Sequence, residues 1–221
     1  MTALVHSPVH DQLDALGARW SRLDDGAIAL DYGDPHRERA RLEEGGLCDL
    51  SVLAKLGVKG PGAAEWLTRQ NVPSPRAIYE VADMDGGVVA KVAGDEFLIE
   101  SGIVNRTLQL LQRRLAESVA GVHALERQAA TFLLSGGSAR EVMAQTCGVD
   151  FDDVEPGRLV MSRVAGVSCT IIPHGASGGA WRIWCDYSYG AYLWQTLLEI
   201  LSELGGGPVG AAAHFPALSA D

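Results

Sequence analysis

Apolar and polar positions along the chain fall into two stretches that are built alike. Residues 56–59 read as a short apolar strand, Gly60 as a turn and Pro61 as the start of a helix whose Ala63, Trp66 and Leu67 recur on one face. Residues 58–67 return as residues 134–143, where a strand end runs into Gly136-Gly137 and a second amphipathic helix that Ser138 is placed to cap. The offset is 136 − 60 = 76 residues. The segments downstream of the two copies are also alike. Phe97-Leu98-Ile99 precedes a helix over residues 103–118 with Val104, Leu108, Leu111 and Leu115 on one face. Trp181-Arg182-Ile183-Trp184 precedes a helix over 188–204 carrying Tyr192, Leu193, Leu197, Ile200 and Leu201. Two units of this size are too few and too long for a solenoid. They predict an α+β fold of duplicated antiparallel sheet-and-helix halves, with a ligand site where the halves meet.

Turn chemistry fills in the rest. Asp34-Pro35 supplies an N-cap and a first-turn proline for a charged helix that Gly45-Gly46 ends. Leu16 to Trp20 and Ala27 to Leu30 read as extended pieces, Leu47 to Leu50 enters the core, and Asp49 caps a turn onto Ser51. Asp85-Gly86-Gly87 between residues 77–82 and 88–92 is a hairpin signal, and Ala93-Gly94-Asp95 turns into residues 96–100. Residues 158–165, 167–173 and 180–186 alternate as strands. The ends read as a loose arm over residues 1–13 and a flexible tail over 205–221, leaving one domain over 14–204.

Composition narrows the function. A chain of 221 residues, 47% hydrophobic, can bury a core without staples. Its net charge of −10 argues against a nucleic-acid surface. Cys48, Cys147, Cys169 and Cys185 form no CxxC pair and have no histidine at ligand spacing, so they read as small buried hydrophobes and no metal is expected. No apolar run suggests a signal peptide or a membrane span, and a cytoplasmic protein is expected.

Chemistry-bearing motifs are sparse. Gly136-Gly137 lacks the third glycine of a dinucleotide fingerprint, no serine sits in a GxSxG elbow, and no catalytic residue is assigned. What remains are aromatics that suit a flat ring: Tyr79 beside the hairpin, Trp181 and Trp184 on a late strand, and Tyr187, Tyr189, Tyr192 and Trp194 after it. Core packing competes with a ligand role at each of them.

An ordered series of short segments then carries a resemblance. Gly17-Ala18-Arg19-Trp20, Tyr32-Gly33, Glu38, Gly46-Leu47-Cys48-Asp49-Leu50-Ser51, Val58-Lys59-Gly60-Pro61-Gly62-Ala63, Tyr79 and Gly86-Gly87-Val88 occur in the order of the glycine-cleavage aminomethyltransferase superfamily. Phe132-Leu133-Leu134-Ser135-Gly136, Ala139-Arg140-Glu141-Val142, Ser162-Arg163-Val164 and the run from Trp184 to Trp194 resemble the gamma subunit of heterotetrameric sarcosine oxidase. The resemblance implies the superfamily's folate-binding-domain fold, without its C-terminal barrel. It implies tetrahydrofolate as cofactor, no flavin in this chain, and Tyr79, Arg163, Trp181, Trp184, Tyr187 and Trp194 as cofactor-binding residues. The carboxylate that aminomethyltransferases place after the Gly-Gly hairpin falls on Val89-Ala90, and residues 164–170 lack the acidic group of a Gly-Tyr-Thr-Gly-Glu segment. The implied function is therefore a tetrahydrofolate-binding or folate-channel subunit of an oxidative N-demethylase complex, of the sarcosine oxidase or dimethylamine monooxygenase type. It would work in a hetero-oligomer with redox subunits, capturing released formaldehyde as methylene-tetrahydrofolate. A purely structural subunit is the alternative, and a free-standing aminomethyltransferase ranks below both.

Overall fold

The computed structural model describes residues 6–103, 107–174 and 179–219. In chain order the elements begin with α1 (His10–Ala15), β1 (Arg19–Leu23), β2 (Gly26–Asp31), α2 (Pro35–Glu44), β3 (Gly46–Asp49), β4 (Lys55–Lys59) and α3 (Ala63–Arg69). Next come β5 (Val81–Met84), β6 (Gly87–Ala93), β7 (Glu96–Glu100), α4 (Thr107–Leu115), β8 (His123–Leu125), β9 (Ala129–Ser135) and α5 (Ala139–Thr146). The last are β10 (Val160–Val164), β11 (Val167–His174), β12 (Ala180–Asp186), α6 (Gly190–Glu203), β13 (Gly207–Pro208) and α7 (Ala211–His214).

Many boundaries obey local rules. The Asp34 carboxylate accepts from the Arg37 N–H at 3.0 Å and Pro35 opens α2. Asp85 and Gly86 both adopt left-handed backbone, with φ of 51° and 78°, and close the two-residue β5–β6 hairpin. Gly205, at φ 87°, ends α6, and the next amide donates back to Leu201 O at 2.9 Å. Asp49 accepts from the Ser51 N–H at 3.1 Å, as its position predicts.

The single domain expected over 14–204 resolves into two compact units. One comprises Leu53–Gln128 with Gly157–Leu159; the other takes the chain up to Val52, Ala129–Pro156, and the chain from Val160 onward. The first carries a five-stranded sheet in the order β5-β6-β7-β4-β8. The second carries a six-stranded sheet in the order β10-β11-β12-β9-β3-β13, and the hairpin β1-β2. The duplication read from the sequence is visible in these orders. A meander of three strands lies beside β4 in one and beside β9 in the other, and each of those central strands feeds the helix of the repeat, α3 or α5.

The two turn glycines do the same work in each unit. Gly60 has φ 129° and a Cβ there would meet Gly121 O at 2.3 Å; Gly136 has φ 94° and a Cβ would meet Gly45 N at 2.8 Å. Gly121 and Gly45 lead into β8 and β3, the strands on the far side of β4 and β9, both antiparallel. The backbone of those leading segments also satisfies the helix starts: Gly121 O accepts from Gly62 N, and Glu43 O and Glu44 O accept from Gly137 N and Ser138 N. The units differ in where that far strand comes from. β8 comes after α4 in sequence, whereas β3 arrives from far upstream and is flanked in turn by β13, parallel to it.

In the five-stranded unit Val58, Trp66, Leu67, Phe97, Ile99, Leu108 and Leu111 share one core. The expected start of α4 at residue 103 and the contact of Val104 fall partly on residues outside those described. In the six-stranded unit Phe132, Leu134, Trp181, Ile183, Leu193, Trp194, Leu197 and Leu201 form the core.

Several expectations change. The described part of the N-terminal arm is not loose: Val9, just before α1, and Leu13 on α1 are buried in the six-stranded unit's core. The tail also packs, because Pro208 and Gly207 pair with β3 and Val209 and Ala211 are buried. Glu38, itself buried, holds this segment by accepting from Gly210 N and Tyr32 N, each at 2.7 Å. Residues 77–80 form a turn rather than strand, and β5 starts at Val81. Pro61 lies in the turn, with α3 starting at Ala63. Ser138 makes no side-chain cap; its hydroxyl donates to Leu204 O at 3.3 Å, at the end of α6.

Candidate functional site

Strand pleating sorts β12 into two faces. Trp181, Ile183 and Cys185 point into the core, which sends Arg182 and Trp184 to the opposite face of the same sheet. Register then fixes their company. Arg182 lies between Ile172 on β11 and Leu133 on β9, Trp184 between Thr170 and Thr131, and Ala180 between His174 and Ser135. Cys48 on β3 pairs with Leu133 in the same row. From α7, His214 brings its Nε2 to 3.5 Å from Ser135 Oγ.

This face is polar and enclosed. Arg182 has no exposed surface, nor does Cys48, and Ser135 and Thr131 are buried. Burial first, then the positive charges of His174 and Arg182, push the His214 imidazole down from 6.5 to about 4, so it is neutral at neutral pH. Burial likewise pushes the Cys48 thiol well up, which keeps it protonated and unreactive. A fixed guanidinium beside a neutral imidazole and two hydroxyls suits an anionic or hydrogen-bonding group rather than a metal. Among the described residues no group of three or more His, Cys, Asp or Glu is arranged to hold a metal ion.

The five-stranded unit carries a second feature, the turn from Arg76 to Glu80. Tyr79 has φ 69°, an uncommon backbone for a bulky residue, and the residue is 41% exposed. The turn is held from both sides. Tyr79 N donates to Lys91 O at 2.7 Å and Tyr79 O accepts from Leu159 N at 2.8 Å. The Glu80 carboxylate accepts from the Ala77 and Arg76 amides at 2.8 and 2.7 Å, and these bonds lower its pKa. Lys91 Nζ donates to Arg76 O at 2.8 Å. The result is an exposed aromatic ring on a rigid, strained support, a combination that concentrates at binding sites.

The other aromatics named from the sequence separate into two groups. Trp181 and Trp194 are 1% exposed, one against Phe151 at 5.6 Å and the other against Phe132 at 5.4 Å between ring centres, so both are core residues. Trp184 is buried on the polar face beside Thr131. Tyr187 is exposed, its hydroxyl donating to His6 O at 3.0 Å. Arg163 is exposed on β10, opposite Ser168. Arg182, His214, Ser135 and His174 were not singled out by sequence pattern. Arg182 carried a usable signal, a lone charge inside the apolar run from Trp181 to Trp184; the histidine and serine contacts span 79 residues and carried none.

Val89 and Ala90, where the resemblance expects a carboxylate, lie on β6 with no exposed surface.

Comparison with known proteins agrees with this architecture. The GCVT N-terminal domain family matches residues 9–215. The aminomethyltransferase of Saccharopolyspora erythraea is 25% identical over 232 residues, covering 97% of this chain and 63% of that protein. The aminomethyltransferase of Parafrankia sp. is 27% identical over 237 residues, with the same two coverages. The chain thus spans less than two thirds of the length of these relatives. Among solved structures, the glycine cleavage system aminomethyltransferase T from Bartonella henselae superposes with a TM-score of 0.77 at 18% identity, covering 96% of this chain and 61% of that one. A chain of the heterotetrameric sarcosine oxidase from Corynebacterium sp. U-96 superposes with a TM-score of 0.64 at 21% identity, covering 92% of this chain and 97% of that one. This chain belongs to the GCVT N-terminal domain family.

Proposed function

As a member of that family, the chain is, we propose, a tetrahydrofolate-binding subunit of an oxidative N-demethylase assembly, in which redox partners release formaldehyde and this subunit provides the folate that captures it. The observation that carries the reading is the pair Val89 and Ala90: neither can donate or accept a proton, so the position where aminomethyltransferases place a carboxylate offers no acid–base group in this chain. Binding is then the work left to the chain. Reduced folate supplies two amine nitrogens, which condense with formaldehyde and release water without an enzymic acid.

Tyr79 is the residue we assign to the folate ring, because its side chain is exposed while the turn that carries it is fixed by five hydrogen bonds, two of them on its own backbone. Trp181 and Trp194 are withdrawn from the ligand set, since fully packed rings offer no face.

Calorimetric titration with tetrahydrofolate, on the chain purified with its native partners, tests this. Tyr79→Ala is expected to weaken binding by roughly 1–3 kcal/mol, the range for a buried stacked ring, with Tyr79→Phe close to wild type. Unchanged affinity in Tyr79→Ala removes Tyr79 from the site. No binding by the wild-type assembly leaves a purely structural subunit, and flavin or iron in the co-purifying chains supports the demethylase setting.

A further inference from the structure

The four cysteines carry no disulfide, yet two of them face each other across a ladder. Cys169 on β11 is the direct partner of Cys185 on β12 in the antiparallel register. The turn between β10 and β11 shows what kind of pair this is. Ala165 and Gly166 are both left-handed, with φ of 49° and 83°, and form the two-residue turn that Val164 and Val167 close. Such a closing pair is hydrogen-bonded, and bonded pairs alternate along an antiparallel ladder, so Ser162 and Cys169, two positions on, are bonded as well. The Cys169 N–H and C=O therefore point at β10. Toward β12, Cys169 and Cys185 form a non-hydrogen-bonded pair, the closer of the two kinds, with Cα atoms about 4.5 Å apart. A disulfide spans Cα separations of about 4.4–6.8 Å. Both side chains lie on the core face of the sheet, each residue 4% exposed. Cys147 is buried in the same core, but it follows α5 and no strand register sets it opposite either of them.

We propose that Cys169 and Cys185 are a redox pair that hydrogen peroxide closes into a cross-strand disulfide, stapling β11 to β12 behind the face that carries Arg182 and Trp184. One thiolate attacks a peroxide oxygen, the O–O bond breaks, and a sulfenic acid and a water result. The second thiolate attacks the sulfenic sulfur; the S–S bond forms, the S–O bond breaks and a second water leaves. Two thiols and one peroxide thus give one disulfide and two waters, the sulfurs oxidised, the peroxide reduced and the thiol protons carried off in the waters. Peroxide is small and uncharged, which suits thiols with so little exposed surface. Burial first, then the neighbouring Cys185, pushes the Cys169 thiol up to about 12, so closure is slow at neutral pH and speeds up as pH rises. The inference stands apart from the folate reading and uses none of its residues.

Peptide mapping by mass spectrometry decides it, because trypsin leaves the four cysteines in four different peptides, 42–55, 141–158, 164–182 and 183–221. The folded full chain is exposed to hydrogen peroxide at pH 9, where the thiolate fraction is about a hundredfold that at pH 7. Remaining thiols are then blocked with iodoacetamide and the chain is digested. Peptide 164–182 is expected joined to 183–221, with Cys48 and Cys147 still alkylated and the link undone by dithiothreitol. The same treatment in urea, where the register is lost, should give a mixture of links. Four separate alkylated peptides from the folded chain overturn the proposal, as does sulfinic acid at Cys169 without a link. A link from 164–182 to 141–158, or a mixture in the folded chain as broad as in urea, overturns it too.

Discussion

Acidification should destabilise this protein through one histidine. His214 ends α7 with its ring held against Ser135 and near Phe215, and it faces the positive charges of His174 and Arg182. Its pKa falls from 6.5 to about 4, burial contributing most. The folded protein therefore keeps the ring neutral where the unfolded chain has already protonated it. Between pH 6.5 and 4 the unfolded state binds more protons, so stability falls as pH falls through that window and is unaffected above it. The shift of 6.5 − 4 = 2.5 corresponds to about 3 kcal/mol at 1.36 kcal/mol per unit, an upper bound for a ring that keeps some solvent contact. Urea unfolding at a series of pH values across the window reads it out, with His214→Gln as comparison. Groups such as Glu80 and Asp186, whose carboxyls are held low by local hydrogen bonds, lose their contributions equally in both proteins. The difference between the two pH profiles thus isolates His214. Wild type should lose more than the variant, by up to about 3 kcal/mol. Parallel profiles would refute the reasoning, even if the variant is less stable throughout.

Other outcomes rest on single contacts. Glu38→Ala removes the acceptor of Tyr32 N and Gly210 N, and should cost about 2–4 kcal/mol and expose the segment after α6 to protease, with Glu38→Gln losing less. Gly136→Ala forces a Cβ to 2.8 Å from Gly45 N at φ 94° and should lower stability by more than about 2 kcal/mol, while Gly137→Ala, whose nearest neighbour is 3.5 Å away, should change thermal unfolding little. Tyr79→Asn relieves a left-handed tyrosine and should raise stability by roughly 0.5–1 kcal/mol in thermal unfolding, at the expense of folate affinity in the calorimetric titration.

The sequence by itself determined what depends on a few neighbouring residues. Asp34-Pro35, Asp85-Gly86 and Gly205 set their turns and helix ends through their own backbone preferences, and the spacing of Ala63, Trp66 and Leu67 declared a buried helix face. The repeat of Gly60 at Gly136 was legible because each position needs a residue without a Cβ, a demand that shows in the sequence. Tertiary structure decided which groups met across long separations. A tryptophan has the same letter whether it packs or binds, so the burial of Trp181 and Trp194 came only from the inward face of β12 and the packing of α6. Val9 and Val209 looked like parts of loose ends because their apolar contacts lie far along the chain, against elements that local pattern does not reveal. Arg182, His174, Ser135 and His214 became one cluster because β9, β11, β12 and α7 converge, and a side-chain contact spanning 79 residues between Ser135 and His214 is fixed by the whole fold rather than by either residue's neighbours.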